Sequence, residues 1–324
     1  MTSAPVPTRA RQVGVVTGRI SPRGVPALFT GTRSTGRGGR SEPAPNPPGG
    51  GRDRSDSGPL VAGGGHDAPE VTAGSAEGAG RVDERFSELA GWIRDEKAPI
   101  SAALVAYLLP RLETGRAGTL QFRQGGGASA FAKRNIDDRL SRPGKPKRNL
   151  FVRTADNPFD ENNRLLAYVA PDFTEKERRE LTRAQRSTFN LDMIASGRAA
   201  PFVIYPSIPG EFDLPMLVRA AAQAREAEEG IWADAATLLA YEYRAMEKLH
   251  RVTAQLVGGA DLPARDRFSW RERYCADMRT RVLHGPEDYL GVLPEYRLWI
   301  WPADVAEAVG RLNLTHAPAL VGAG

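Results

Sequence analysis

Cysteine and histidine, the residues that most often act as nucleophiles or transition-metal ligands, are sparse in this sequence of 324 residues, which contains one cysteine and four histidines. No G-x-S-x-G, H-E-x-x-H or C-x-x-C motif is present, so serine hydrolase, zinc protease and dithiol chemistry have no local signature. Cys275 is the only cysteine, which excludes a disulfide framework and a cysteine-rich metal site. We expect it to be a small buried side chain rather than a thiolate. His250 and His284 have no partner at ligand spacing.

Two further features could contact a nucleic acid. The glycine run at 125–127 could cradle a phosphate, but it lacks the G-x-x-x-x-G-K-[ST] pattern and no strong strand precedes it, so we predict a loop. Trp299 and Trp301 share one face of a predicted strand at 296–301 and could stack on bases. Aromatic residues on a strand more commonly pack against a helix, and this alternative stays open.

The positive charge of the chain is concentrated at its N-terminus. The net charge is +5, and the first 60 residues contain nine arginines, no lysine and three acidic residues. The same 60 residues contain eleven glycines and nine prolines, with few apolar residues to offset the entropy of ordering. We therefore predict that 1–80 is mostly disordered, and that its arginines either contact phosphates or are only solvated.

The sequence also bears on localisation. The N-terminal segment has no apolar stretch of the kind that secretory signals need, and no run of residues is apolar enough to span a membrane. We expect a cytoplasmic protein without a membrane partner. A wrongly assigned start would change this expectation.

The sequence after residue 81 predicts a mixture of helices and strands. The apolar spacing predicts a first helix beginning after Asp83 and a second at 99–112, and the later pattern predicts a hairpin and several capped helices. Thr174 with Glu177 forms a capping-box signature, and Asn190 could cap a short helix. The predicted helices are 83–93, 99–112, 128–140, 174–186, 191–196, 213–230, 234–257 and 267–283, with a short one after Asp304. The predicted strands are 150–154, 165–169, 202–205 and 296–301.

Five sequence patterns follow one another between the third predicted helix and the helix that ends before residue 230. They are A-S-A-F-A-K at 128–133, R-L-L-A-Y-V at 164–169, F-N-L-D-M-I-A-S-G-R-A at 189–199, Tyr205, and Gln223-Ala224-Arg225 followed by G-I-W at 230–232. In this order, over about 120–232, the patterns resemble those of the staphylococcal nuclease-like family, also called thermonucleases.

The resemblance implies a fold, a chemistry and a set of residues. It implies an α+β domain, an OB-like five-stranded barrel with packed helices, that hydrolyses phosphodiesters of DNA or RNA with a calcium ion. Arg164 would take the position of a family arginine that clamps the phosphate, and Tyr205 that of a tyrosine near the nucleotide. A cation held by carboxylates would neutralise the charge that develops on the phosphate.

The N-terminal motifs of the family are poorly represented. The family carries D-G-D-T, and the nearest segment here, Thr17-Gly18-Arg19-Ile20, lacks both acids. The only D-x-P-E is Asp67-Ala68-Pro69-Glu70, which would make Asp67 a metal ligand and Glu70 the carboxylate near the attacking water. Ala62 stands where the family has an arginine, and 57 residues separate Glu70 from Ala128. These roles require a long insertion, and the alternative is a chance match in a disordered tail.

Three interpretations therefore remain. The chain is a metal-dependent nuclease, a nuclease-like module that has lost its metal-binding acids and binds nucleic acid or protein, or the product of a truncated or wrongly started gene. In all three we expect a tail at 1–80, a nuclease-like domain at 81–232 and a mainly helical C-terminal extension at 233–324.

Overall fold

A computed structural model describes residues 17–20, 61–63, 65–71, 73–159 and 165–317. The helices are α1 (Ala76–Arg94), α2 (Ala102–Leu112), α3 (Ala117–Leu140), α4 (Glu175–Glu180), α5 (Phe189–Ala195), α6 (Asp213–Glu226), α7 (Ala240–Val257), α8 (Ala264–Arg267) and α9 (Val305–Leu312). The strands are β1 (Thr17–Ile20), β2 (Val61–Gly63), β3 (Gly65–Asp67), β4 (Leu150–Phe159), β5 (Leu165–Pro171), β6 (Ala200–Ile204), β7 (Tyr274–Asp277), β8 (Val282–His284), β9 (Arg297–Ile300) and β10 (Thr315–His316). None of the helices in these ranges has the length and apolarity to cross a membrane.

The strands form two sheets. The first has the order β1-β4-β5-β2, in which β4 and β5 are the predicted antiparallel hairpin and β2 pairs with β5 in parallel. The second has the order β10-β8-β7-β9-β6-β3. β6 lies antiparallel to β3 and parallel to β9. β2 and β3 are one residue apart in sequence, so the chain passes there from one sheet to the other.

The mixed α+β composition is confirmed, whereas the expected closed barrel is not formed by the strands of the described ranges. In an OB-like barrel the sheet closes on itself through its edge strands. Here β6 has β3 on one side and β9 on the other, so neither of its edges can pair with the β4–β5 hairpin. The strands consequently stay in two sheets.

Some residues of the segment predicted to be a mostly disordered tail belong to the elements of the fold. β1, β2, β3 and the first residues of α1 all fall within 1–80, and Glu70 and Ala79 are buried. α1 begins at residue 76 because the Ser75 hydroxyl accepts a hydrogen bond from the Gly78 N–H at 3.0 Å. Composition missed this order because it comes from contacts with distant elements. Residues 1–16, 21–60, 64 and 72 lie outside the described residues, and for them disorder stays a prediction.

α1 and α2 form the insertion between the D-x-P-E segment and α3. Asp83 was expected to begin a helix, but it lies inside α1 and caps α3. Its Oδ1 accepts hydrogen bonds from the N–H groups of Gly118 at 2.6 Å and Thr119 at 3.2 Å. These are first-turn donors that have no partner within their own helix. The insertion therefore supplies the N-terminal cap of the helix that follows it.

The glycine run at 125–127 lies within α3, so the predicted loop was wrong. α3 crosses the 68–71 segment so closely that a Cβ at Gly125 would stand 2.7 Å from the Pro69 carbonyl oxygen. A Cβ at Gly126 would meet no atom within 4 Å. Gly125 is thus required by a close approach of two backbones, and the low helix propensity of glycine is overridden by packing.

The β4–β5 hairpin packs on α3 through one of its faces. Leu150, Val152, Ala167 and Val169 are buried there with Ile136, Leu140 and Phe189. Asn190 does not cap α5, whose cap is Thr188. Its amide instead bonds β5, accepting from the Val169 N–H at 3.0 Å and donating to the Ala167 carbonyl at 3.1 Å. A side chain therefore takes the place of a neighbouring strand along this part of β5.

The second sheet joins residues after 232 to β6, which precedes that predicted boundary. α7 and β9 were predicted, but the helix expected at 267–283 was wrong, because that segment contains the antiparallel strands β7 and β8. β7 also pairs with β9, which lies beside β6. The expected extension thus contains strands as well as helices. The second sheet joins strands from both sides of the boundary predicted at residue 232.

Gly125 and Gly126 offer a matched pair of substitutions. We expect Gly125→Ala to destabilise the protein by about 1–3 kcal/mol, the usual cost of overpacking. Gly126→Ala should stabilise it by about 1 kcal/mol, because alanine favours the helix and has open space at this position. Urea denaturation followed by circular dichroism measures both free energies of unfolding. Equal effects of the two substitutions would contradict the close contact between α3 and Pro69.

Candidate functional site

Asp67 and Glu70, the two acids of the D-x-P-E segment, lie close together. Asp67 is the last residue of β3 and is opposite Ala200 of β6, and Glu70 is in the loop that follows. Glu70 is 4% exposed. The Gln121 carboxamide holds this loop with its oxygen 2.9 Å from the Glu70 N–H and its nitrogen 3.2 Å from the Leu238 carbonyl.

A guanidinium from the C-terminal region binds both acids. Arg244 of α7 places Nη1 3.0 Å from Asp67 Oδ1 and 2.7 Å from Glu70 Oε1, and Nη2 2.6 Å from Asp67 Oδ2. Burial lowers the pKa of Arg244, but the negative charges of Asp67 and Glu70 outweigh burial and raise it above the ordinary value. We call these three residues the arginine–carboxylate cluster.

The cluster does not provide a calcium site. Calcium takes about six to eight oxygen ligands. Both carboxylate oxygens of Asp67 and one of Glu70 already accept from Arg244. Across the described ranges, no group of three or more His, Cys, Asp or Glu side chains is arranged to hold a metal ion. The residues placed here therefore do not fit the ion that the resemblance implies.

The other predicted site residues are not brought to this cluster. Arg164 lies outside the described residues, and its phosphate-clamping role stays a prediction. Tyr205 follows β6 and is 4% exposed, with its N–H donating to the Trp299 carbonyl at 2.9 Å. Its ring belongs to a core cluster with Leu217 and Ala308. It packs in this position, and its contact with a nucleotide stays a prediction.

Cys275 is buried, as expected, and burial raises the pKa of its thiol to about 12. A thiol with such a pKa is protonated near neutral pH, and it is the thiolate that acts as a nucleophile. Trp299 is buried in the aromatic core beside Tyr241 and Tyr289, with ring centroids 4.8 and 5.2 Å away. The packing interpretation of this tryptophan, rather than base stacking, fits its position.

The segment that follows α5 contacts the segment that follows α6 at two glycines. The Ile231 N–H donates to the Gly197 carbonyl at 2.8 Å, and a Cβ at Gly230 would lie 2.1 Å from that carbonyl oxygen. Gly197 and Gly230 have φ of 62° and 60°, where glycine is favoured. Residues 112–234 match the family model described as staphylococcal nuclease homologue. We call them the nuclease-like region.

The family match covers only part of the chain. It covers less than half of the chain, and no curated protein shows significant similarity. Arg164 and Tyr205 lie inside the nuclease-like region, whereas Asp67, Glu70 and Arg244 lie outside it. All three members of the arginine–carboxylate cluster are thus supplied by flanking segments.

Sequence reasoning missed Arg244. The helix that carries it was predicted, but an arginine within an amphipathic helix ordinarily indicates a solvated face. The available signal was the apolar stripe of α7, which indicates that the helix packs on the rest of the protein. An arginine beside such a stripe needs a carboxylate partner when the helix packs.

Replacing Arg244 tests the cluster. We expect Arg244→Ala to cost about 3 kcal/mol, the lower end for breaking a buried ion pair, because the Arg244 side chain is 29% exposed. Arg251→Ala, on an exposed position of the same helix, is the control and should change stability by less than about 0.5 kcal/mol. Urea denaturation gives both values. A loss at Arg244 no larger than at Arg251 would show that the acids do not depend on Arg244.

Proposed function

We propose that this protein is a nuclease-like module that binds nucleic acid without hydrolysing it. The observation that supports this proposal is the bidentate binding of Asp67, together with Glu70, by Arg244. Acids that would otherwise serve a metal are neutralised by a cation of the same chain. They stabilise the packing of α7 on β3 and the loop after it.

The basic turn between α3 and β4, residues 142–148, is the surface that we propose for phosphate contacts. The Arg142 guanidinium donates to the Pro146 carbonyl from Nε at 2.9 Å and from Nη2 at 2.6 Å, which holds the turn in shape. Lys145 and Lys147 are exposed. Lys147 pairs at 3.0 Å with Asp137, but both side chains are about half exposed, so a phosphate can replace that partner at little cost. The turn thus presents cations without a groove that reads bases.

The salt dependence of binding tests this surface. We expect full-length protein to bind a fluorescent single-stranded oligonucleotide with an affinity that falls as salt rises, because bound counterions are released. Lys145→Ala/Lys147→Ala should weaken binding and reduce the slope of log K against log salt by about 0.7 for each phosphate that a lysine no longer neutralises. Fluorescence anisotropy at several salt concentrations measures both quantities.

Arg265→Ala/Arg267→Ala is the matched control for this experiment. It removes two exposed cations with the same spacing from α8. We expect it to leave the slope unchanged. Absence of binding by the wild-type protein at low salt, or equal slopes for the two double variants, would overturn the proposal.

Calcium-dependent hydrolysis of phosphodiesters is the second candidate function. It is favoured by the family match of residues 112–234 and by the proximity of Asp67 to Glu70. In that case Arg164, as the resemblance implies, would stabilise the charge on the phosphoryl group, and its loss should cost roughly 10²–10³ in turnover. Arg164→Lys should be impaired as well, because an ammonium cannot make the two-pronged contact.

A cleavage assay separates the two candidates. We expect no cleavage of single-stranded DNA by the wild-type protein, with or without added calcium. Cleavage that requires calcium, stops with a chelator and is lost in Arg164→Ala would replace the binding module with a nuclease. Cleavage that survives both the chelator and the substitution would contradict both candidates.

A further inference from the structure

A small cavity of about 40 Å³, which we call the α7 cavity, lies between α7 and β9. Its walls come from one side of α7, from the segment 270–273 before β7, from the segment after β8, and from single residues of α2 and β9. None of the lining residues belongs to the nuclease-like region, to the arginine–carboxylate cluster or to the basic turn at 142–148. The cavity is therefore separate from every surface that the proposed function uses.

Two buried indole groups on the walls of the α7 cavity lack an acceptor. Trp270 and Trp299 are each 4% exposed, and the Nε1–H of each has no hydrogen-bond partner within the part of the chain that the structure describes. Buried polar groups of proteins are nearly always hydrogen-bonded. Because both tryptophans line the cavity, a group inside it is well placed to supply the acceptor that they need.

The same walls contain a buried carboxyl group, that of Glu242, which is 1% exposed. Its Oε2 accepts from the Leu239 N–H at 3.0 Å and from the Tyr107 hydroxyl at 3.4 Å. Its Oε1 has weaker contacts, with the Tyr289 hydroxyl at 3.5 Å and with Arg297 Nη1 at 4.0 Å. Each carboxylate oxygen has two acceptor sites, so Oε1 retains the capacity to accept a further hydrogen bond. The cavity thus offers two donors and one acceptor.

The other charged side chains beside the α7 cavity are paired with one another. Arg271 binds Glu287, and Glu272 binds Lys248. Arg273 also lies 3.6 Å from Glu272. A charged ligand would bring an additional charge into a largely buried site, and a buried charge without a partner is costly. The electrostatics of the cavity therefore favour an uncharged ligand.

The size of the α7 cavity limits the ligand to a few atoms. A water molecule needs about 10–15 Å³ of such space, so the cavity has room for about three waters or for a planar group of three or four non-hydrogen atoms. Each water would need two to four polar partners, and Leu108, Met246 and Pro286 make part of the lining apolar. A primary carboxamide fits the same space with fewer partners, because its oxygen accepts two hydrogen bonds and its nitrogen donates.

We propose that the α7 cavity binds a primary carboxamide, whose oxygen accepts hydrogen bonds from the indoles of Trp270 and Trp299 and whose nitrogen donates to Glu242. A free small amide and the side chain of an asparagine or glutamine in a bound peptide both offer this group. A carboxamide in the cavity would join α7 to the segment 270–273 and to β9. This inference does not rest on the proposed function, because no residue of the cavity takes part in it.

Magnetic resonance of the full-length protein with isotopically labelled tryptophan tests the proposal. The chain has five tryptophans, each with one indole N–H signal, and Trp270→Phe and Trp299→Phe assign two of these signals by removing them. We expect acetamide to shift both signals downfield and saturably, because both N–H groups gain an acceptor. A ligand of four non-hydrogen atoms binds with a Kd no tighter than roughly 40 μM, so the titration extends into the millimolar range.

Matched ligands and variants identify the contacts. Acetate, a carboxylate of the same size, should bind at least about tenfold more weakly than acetamide because it is charged. Trp270→Phe should weaken acetamide binding about two- to tenfold, the effect of one lost hydrogen bond, while the Trp299 signal still shifts. Trp92→Phe, outside the cavity, should leave binding unchanged. Ala245→Leu fills the cavity and should abolish both shifts, whereas Ala254→Leu, on the same helix but outside the cavity, should not.

The outcomes distinguish the source of the carboxamide and the failure of the proposal. Tighter binding of N-acetylglutamine methylamide than of acetamide identifies a side chain of a peptide, and binding that is no tighter identifies a free small amide. Absence of a saturable shift of the Trp270 and Trp299 signals would leave the cavity to water and overturn the proposal. Equal binding of acetate and acetamide, or equal losses in the Trp270 and Trp92 variants, would overturn it as well. Because the titration contains no nucleic acid, its failure leaves the proposed function standing.

Discussion

The pairing of β6 on both of its edges is the constraint on which the rest of the structure depends. β6 lies within the nuclease-like region, and it pairs with β3 from the N-terminal flank on one edge and with β9 from the C-terminal flank on the other. Because both edges are occupied, β6 cannot close a barrel with the β4–β5 hairpin. The same pairing buries Tyr205, whose N–H bonds β9 directly after the strand ends.

Arg244 adds a charged contact to this arrangement of strands. It fixes α7 to the end of β3 and the loop after it, so the elements that flank the nuclease-like region also contact each other. A second buried charge pair holds α7 to β9: Glu242 accepts from the Leu239 N–H at 3.0 Å and faces Arg297 at 4.0 Å. Burial raises the pKa of Glu242, and Arg297 opposes that change.

In these two clusters, paired charges hold packed elements together. Burying an unpaired charge costs several kcal/mol, and removing one partner of such a pair leaves that cost uncompensated. An acid on which a helix packs through an arginine is therefore difficult to replace. Asp67 and Glu70 therefore have a role in holding α7 to β3 and the loop after it that does not depend on catalysis.

Local sequence signals predicted the elements that local forces determine. The β4–β5 hairpin, the box of Thr174 with Glu177, and α7 follow from alternation, capping and helical spacing, and all are present. The predictions of a loop at the glycine run of α3 and of a helix at 267–283 were wrong, because contacts with Pro69 and with β9 decide the structure of these two segments. Arg244 could not be predicted as a partner of Asp67, since only the folded chain brings them together.

Arg244 and the two acids that it binds are far apart in the sequence, so their contact forms late during synthesis of the chain. Arg244 follows Asp67 by 177 residues and Glu70 by 174. At the roughly 5–20 residues per second of synthesis, about 10–35 s pass between translation of the acids and translation of their arginine. During that time the nascent chain has neither Arg244 nor β9. The pairing of β6 with β9 and the binding of the two acids by Arg244 therefore form only after β9 and α7 have left the ribosome, although the nuclease-like region ends before either of them begins.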